Sequence, residues 1–444
     1  MWHRLVNDKR FGLENYHDPK KNATRTDFRR DYDRLVFSSP FRRLQNKTQV
    51  FPLPGSIFVH NRLTHSMEVA CVGKSMADNI AGALRRRYAG APEGTEHFDH
   101  LGDIVAAACL AHDLGNPPFG HSGEKAIATF FSEGLGKSLK DSLSPSEWSD
   151  LTRFEGNANA FRVLTHQFRG RRKGGFAMTY STLASIVKYP FESSLATKDK
   201  FGFFTSERDD FRRVADELGM LRLSQPGEPL RYARHPLVYI VEAADDICYE
   251  VMDIEDAHKL RILTTDEVIT AFMRFFPSDR QAQMTAVMEH VDDPNEKIAY
   301  LRSCVVGTLV ERCAEAFIAN EDSILEGTFE GSLLGSITPL EREGYARCTE
   351  LSFARIYKAA EVVDIELAGN RIITFLMEKL TEAVTRPGLN YSRLLLAKFP
   401  QQYDVDAPTL YGKLQAVLDH ISAMTDVYAL DLYRKLNGHS LPAV

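Results

Sequence analysis

Ile104-Val-Ala-Ala-Ala-Cys-Leu-Ala-His112-Asp113-Leu-Gly115 decides how this chain is read. Its first eight residues are apolar on every side of a helix, so the segment belongs in an interior. It then ends on an imidazole and a carboxylate side by side. An isolated buried carboxylate is expensive unless it finds a partner or takes up a proton. His112 and Asp113 therefore need something to bind.

Two other segments show the same intrusion of polar groups into apolar surroundings. In Arg62-Leu-Thr-His-Ser-Met-Glu-Val-Ala-Cys-Val-Gly-Lys-Ser-Met76, His65 shares a helical face with Val69, Val72 and Met76, continued by Ile80, and Arg62 lies one turn earlier. In the segment from Pro236 to Asp256, Asp245 sits inside an apolar arc of Ile240, Val241, Ala244, Ile247, Cys248, Tyr249, Val251 and Met252. Glu242, Asp246, Glu250 and Asp253 fall on the other side, which makes Asp245 the carboxylate in need of a cation. A single histidine on an apolar face is more often a hydrogen-bonded core residue than a ligand. Two imidazoles and two carboxylates on separate buried helices are a different matter, because that donor set suits one divalent cation, magnesium or manganese before others.

Working outward, apolar residues three and four apart predict helices near 24–46, 62–88, 99–113, 121–134, 147–168, 179–188, 206–219, 235–259, 264–275, 292–320, 340–361, 364–384 and 408–436. A short β-hairpin is expected across 48–60, where Thr48–Phe51 turns through Pro52-Leu53-Pro54-Gly55 into Ile57–His60. The fold class is all-α. All four candidate ligands precede position 262, so 1–262 is expected to be the catalytic core and 263–444 a helical extension used for assembly or to complete the substrate site.

The 444 residues carry 54 basic and 60 acidic side chains, a mild negative balance that does not suggest a dedicated nucleic-acid or membrane-surface binder. With no apolar run long enough to span a bilayer and no apolar leader in MWHRLVNDKRFG, a cytoplasmic protein without membrane association is expected. The six cysteines form no CxxC pair and read as reduced core thiols.

Just beyond the His-Asp pair lies Asn116-Pro-Pro-Phe-Gly-His121-Ser-Gly-Glu124. Its prolines stiffen the loop and its glycines permit close approach to a ligand. Glu124, three residues after His121, can hold that imidazole in orientation, which makes the pair candidate proton-transfer residues. The plainer alternative is an acidic residue that suits the first turn of a helix.

The order H…HD…D, met by His65, His112–Asp113 and Asp245, resembles that of the HD-domain phosphohydrolases. More narrowly, the chain resembles the deoxyguanosinetriphosphate triphosphohydrolases, in RTDFRRDYDRL (25–35), FRRLQNKTQVF (41–51), NRLTHSMEVA (61–70), AHDLGNPPFGHSGE (111–124), FEGNANAFR (154–162), KYPFESS (188–194), KFGFFTSE (200–207) and HPLVYIVEAADDICY (235–249). The resemblance implies hydrolysis of a deoxynucleoside triphosphate, dGTP first, to deoxynucleoside and intact triphosphate. It implies His65, His112, Asp113 and Asp245 as ligands of one divalent ion, and His121 with Glu124 as the catalytic pair. Gln49 and Arg62 match positions that touch sugar and α-phosphate, and Tyr249 and Asp253 match positions that contact the deoxyribose. Asn116 stands where many relatives have histidine; it can hydrogen-bond a phosphate oxygen but cannot shuttle a proton. Lys188 is a further candidate for phosphate, with an exposed helix-end lysine as the alternative.

Two other readings compete. One is another HD-type phosphohydrolase, acting on ppGpp, a nucleotide monophosphate or a cyclic nucleotide, whose diesterase version would need a fifth and a sixth ligand for a second metal. The other is a non-catalytic scaffold that senses nucleotides or nucleic acid, for which the basic loop Arg169-Gly-Arg-Arg-Lys-Gly-Gly is the best support. The same loop is the candidate for an activating nucleotide or for weak single-stranded DNA binding. Family resemblance further implies a symmetric homo-oligomer, often a hexamer.

Overall fold

The computed structural model describes residues 1–16, 25–52, 58–92 and 94–440. The protein is all-α, and among the described residues β pairing is limited to isolated bridges. The helices that matter for the site are α1 (Asp27–Val36), α2 (Arg62–Arg87), α3 (Leu101–Ala111), α4 (Gly120–Ser132), α5 (Gly156–Thr165), α6 (Pro236–Lys259), α7 (Pro294–Ala319), α8 (Pro339–Leu351), α9 (Ala360–Thr385), α10 (Leu410–Ser422) and α11 (Asp426–Leu436).

Local chemistry sets their ends. Asn61 begins α2 by accepting from the backbone N–H groups of Leu63 and Thr64, and the Thr64 hydroxyl returns the bond to the Asn61 N–H. Pro236 occupies the first turn of α6, where its missing N–H costs nothing. Every residue from Ile104 to Ala111 is buried, as an all-round apolar helix must be.

Around α3 pack α1, α2, α6 and the short helix Tyr180–Ile186, and α7 closes against α2 and α6. This first apolar cluster includes Val69, Met76, Ile80, Ile104, Leu110, Ile247, Leu301 and Leu309. A second forms where α9 meets α4, α10 and α11, with Ile127, Phe130, Phe131, Leu376, Leu380, Leu414 and Val417. Both clusters draw on residues from either side of position 262.

Several expected helices are divided. The 24–46 segment breaks at Ser38, whose hydroxyl accepts from the Phe41 N–H and starts a new helix, Ser39–Arg43. The 147–168 segment splits into Pro145–Thr152 and α5 because Glu155 caps the latter, accepting from Asn157 and Ala158. Thr425 likewise separates α10 from α11. The 340–361 helix passes into a π-turn at Ser352–Ile356 and stops before α9. Ser278–Met288 escaped periodicity because it buries only Met284 and Met288. The 48–60 hairpin falls partly on residues 53–57, outside the described ones; among the described residues of this stretch the pairing is one isolated antiparallel bridge, Thr48 with Asn61. All six cysteines are free, and no helix among the described residues is long and apolar enough to cross a membrane.

Candidate active site

Three helices deliver the four candidate ligands: His65 from the first turn of α2, His112–Asp113 from the end of α3, and Asp245 from the middle of α6. Gly73 makes their approach close, since a Cβ there would lie 2.7 Å from Cys109 Sγ, 3.0 Å from Val105 and 3.3 Å from Ala244. His65, His112 and Asp113 present donor atoms all within 4.8 Å of one another. Asp245 Oδ1 stands 3.0 Å from His65 Nε2 and 3.4 Å from His112 Nε2. Asp245 thus reaches both imidazoles of that group.

His112 Nδ1 lies 2.6 Å from the Cys109 carbonyl oxygen, so that nitrogen carries the hydrogen and donates. In the neutral imidazole Nε2 keeps its lone pair, and it is buried and without a hydrogen bond. Burial would lower the His112 pKa, yet Asp113 and Asp245 outweigh it and push it up to about 9. Burial would raise the Asp245 pKa, but His112 and His65 hold it well below the usual carboxylate range. An orphaned imidazole nitrogen facing two carboxylates, with a second imidazole beside them, fits a divalent cation by donor chemistry and by charge.

The site extends through Arg62. One of its guanidinium nitrogens donates to Asp113 Oδ2 at 2.7 Å. Another lies against Gly120, where a Cβ would come within 2.5 Å of it, so only glycine (φ +54°) fits beneath the arginine. Burial works against the Arg62 charge, but Asp113 outweighs it and the pKa is raised. Asn116 donates to Asp113 Oδ1 at 2.5 Å, and its own amide oxygen lies against Gly156, whose N–H donates to Glu124 Oε1 at 2.8 Å. Glu124 Oε2 in turn is 2.8 Å from His121 Nδ1. Burial would raise the Glu124 pKa, and His121, Lys200 and the Gly156 N–H bring it below its ordinary value.

His121 and Glu124 line a cavity of about 710 Å³ together with Gln49, Phe119, Gly120 and Tyr249. That size suits a small-molecule ligand. Gln49 Oε1 is buried there without a partner. Tyr249 stacks on Tyr357 with ring centres 6.0 Å apart. Asp253 lies deeper, its Oδ2 accepting from the Tyr357 hydroxyl at 3.1 Å, and burial pushes its pKa well up. Lys188 shares a small recess with His112 and Asp245, its Nζ 3.2 Å from Glu242.

Sequence reading missed the far wall. Tyr345, Thr349, Phe353, Tyr357 and Ile365 line the cavity and come from α8, α9 and the turn between them. The acidic side of α6 was the available signal. Glu250 accepts from Thr349 and Ser352 at 2.9 and 2.6 Å, so that side is covered by hydroxyl donors. Burial pushes Asp246, also on the cavity wall, up to about 7. In the 169–175 loop, Arg169 pairs with Asp404 at 2.7 Å and Arg171 stacks on Phe176, both beside a separate cavity of about 440 Å³.

Comparison with known proteins gives two family matches: an HD domain over residues 62–219 and a phosphohydrolase-associated domain over 342–435. A deoxyguanosinetriphosphate triphosphohydrolase-like protein of Synechocystis sp. is 36% identical, covering 99% of this chain and 100% of its own length. One from Pseudomonas aeruginosa is 35% identical, with 100% of each chain covered. A deoxyguanosinetriphosphate triphosphohydrolase of Serratia proteamaculans is 29% identical over 92% of this chain and 93% of its own.

Proposed function

Because this chain belongs to the deoxyguanosinetriphosphate triphosphohydrolase family of HD-domain phosphohydrolases, we propose that it hydrolyses deoxynucleoside triphosphates, dGTP first, to deoxynucleoside and triphosphate. The observation that carries this reading is the single guanidinium of Arg62, bonded to Asp113 on one side and lying against Gly120, next to His121, on the other. It joins the cation-binding centre to the proton-transfer pair.

His65, His112, Asp113 and Asp245 would hold the ion, which when bound supplies positive charge to the α-phosphoryl group and its attacking water. Arg62 braces the α-phosphate oxygens with its fork of donors. Water attacks the α-phosphorus and the bond to the 5′ oxygen breaks. That oxygen leaves poorly unless it is protonated. Glu124 holds His121 Nδ1, so Nε2 is the nitrogen free to hand over a proton. Gln49 lines the cavity, and its side-chain amide is the group to hydrogen-bond the sugar. The Tyr249 ring, held by Tyr357, packs against the deoxyribose where a 2′-hydroxyl would sit. Asp253 acts on the same ring pair through the Tyr357 hydroxyl. Residues 1–262 carry this chemistry, and 263–444 complete the cavity wall.

The test is incubation with each of the four deoxynucleoside triphosphates, alone and mixed, under Mg²⁺ and Mn²⁺, with both products identified. Deoxynucleoside and tripolyphosphate in equal amounts are expected. Release of orthophosphate or pyrophosphate instead, or turnover of ppGpp or a cyclic nucleotide in preference, would replace this reading with the other HD-type chemistries.

A further inference from the structure

Asp426 opens α11, where an acidic residue ordinarily needs no explanation beyond the helix dipole. Its surroundings demand more. The side chain is 8% exposed, and its two oxygens serve two distant loops. Oδ2 accepts the Thr48 N–H at 2.7 Å, and Oδ1 accepts the Phe119 N–H at 2.9 Å. Thr48 precedes Gln49, and Phe119 precedes Gly120 and His121.

A second strap runs beside the first. Lys47 Nζ donates to the Ser422 carbonyl at 2.7 Å and to the Asn116 carbonyl at 2.5 Å, tying the same two loops to the same corner between α10 and α11. From the other side α9 presses on the turn. The Ser122 hydroxyl donates to the Glu366 carbonyl at 2.6 Å, and a Cβ on Gly369 would come 2.6 Å from the Phe119 Cβ. Phe119 itself has φ +61°, a left-handed conformation that a residue with a side chain holds only where its surroundings impose it.

We propose that Asp426 is a positioning residue of the active site: one carboxylate, by fixing Thr48 and Phe119 together, sets Gln49 and His121 in register across the cavity. A carboxylate is required because two N–H donors converge on it, and an amide would offer one acceptor oxygen and turn an NH₂ group towards the other donor. The inference rests on the reading of His121 as the proton donor.

Asp426→Asn is compared with the parent, with Asp431→Asn, an exposed partner of Lys435 on the same helix, as control. For Asp426→Asn, kcat is expected to fall about a hundredfold, the size of loss that a small misplacement of catalytic groups produces. The loss should sit in kcat more than in KM, with metal content at the parental value. Amide hydrogen exchange should rise in 47–50 and 119–123 and nowhere else, and Asp431→Asn should match the parent in every measure. Gly369→Ala, which pushes on Phe119 from α9, should lower kcat in the same way and guards against an Asp426 variant that fails to fold. Parental kcat in both variants, a loss confined to KM, or exchange raised throughout the protein would overturn the proposal. The exchange result is independent of turnover, so a parent that releases no triphosphate would remove the functional reading while the clamp itself was still decided.

Discussion

His121 is the most open member of the site, its side chain 65% accessible, while Glu124 behind it is buried. That contrast suits a group that must reach a substrate yet keep its orientation. His121→Ala should lower turnover by about 10²–10⁴-fold with bound metal unchanged, checked by steady-state rates and metal analysis on one preparation. A parental rate would end its role at the leaving group. Tyr249→Ala should weaken discrimination of dGTP against GTP, read as the ratio of the two kcat/KM values, since the loss of the ring opens room for a 2′-hydroxyl. His60 offers a test of stability. Burial would lower its pKa, but Asp256 and Glu68, 2.8 and 3.1 Å away, outweigh that and push it up to about 10. A raised folded-state value means stabilisation that is complete below the unfolded pKa of about 6.5 and lost as pH rises towards 10. His60→Gln should therefore flatten the fall in denaturation midpoint between pH 7 and 10. At this scale the neighbourhood of His65, His112, Asp113 and Asp245 was legible, because an ionisable group on an apolar helical face is conspicuous. The Lys47, Tyr357 and Asp426 contacts were not, because their partners lie far away in the chain.

The helices α2, α3 and α6 meet at Gly73, and their crossing sets how near the ligands come to each other. A methyl group there must displace Cys109, whose carbonyl orients His112, and Ala244, the neighbour of Asp245. Gly73→Ala should cost about 1–3 kcal/mol of stability, as overpacking does. It should also weaken metal binding, measured by calorimetric titration of the metal-free protein; unaltered affinity would mean that the centre does not depend on this crossing. Periodicity located these helices well, since α2 and α6 each keep one long apolar face. It merged helices at Ser38, Glu155 and Thr425, where a polar residue acted as a cap rather than as surface. Glu155 and Thr425 end or start helices through their side-chain bonds to backbone N–H groups, and an alternation of apolar and polar residues carries no trace of that.

Across the whole molecule, the candidate metal ligands all precede position 262, yet Phe130 and Phe131 of α4 are buried in a cluster shared with α9 and α10. Residues 1–262 expressed alone should expose that surface, aggregate or bind hydrophobic dyes, and lack the cavity wall of Tyr345, Phe353 and Tyr357. A soluble, active 1–262 fragment would show that the C-terminal helices are dispensable. The sequence marked those helices as an extension for assembly or for completing the substrate site, without naming any residue of the cavity wall. Their part in the site arises from long-range pairs such as Asp426 with Thr48, separated by 378 positions, which local pattern cannot register. The central claim is water attack at the α-phosphorus, organised by two imidazoles and two carboxylates. Turnover of dGTP in ¹⁸O-labelled water with a divalent ion tests it most directly. One labelled oxygen should appear in tripolyphosphate and none in deoxyguanosine; label in the nucleoside, or labelled orthophosphate or pyrophosphate as the product, would contradict it.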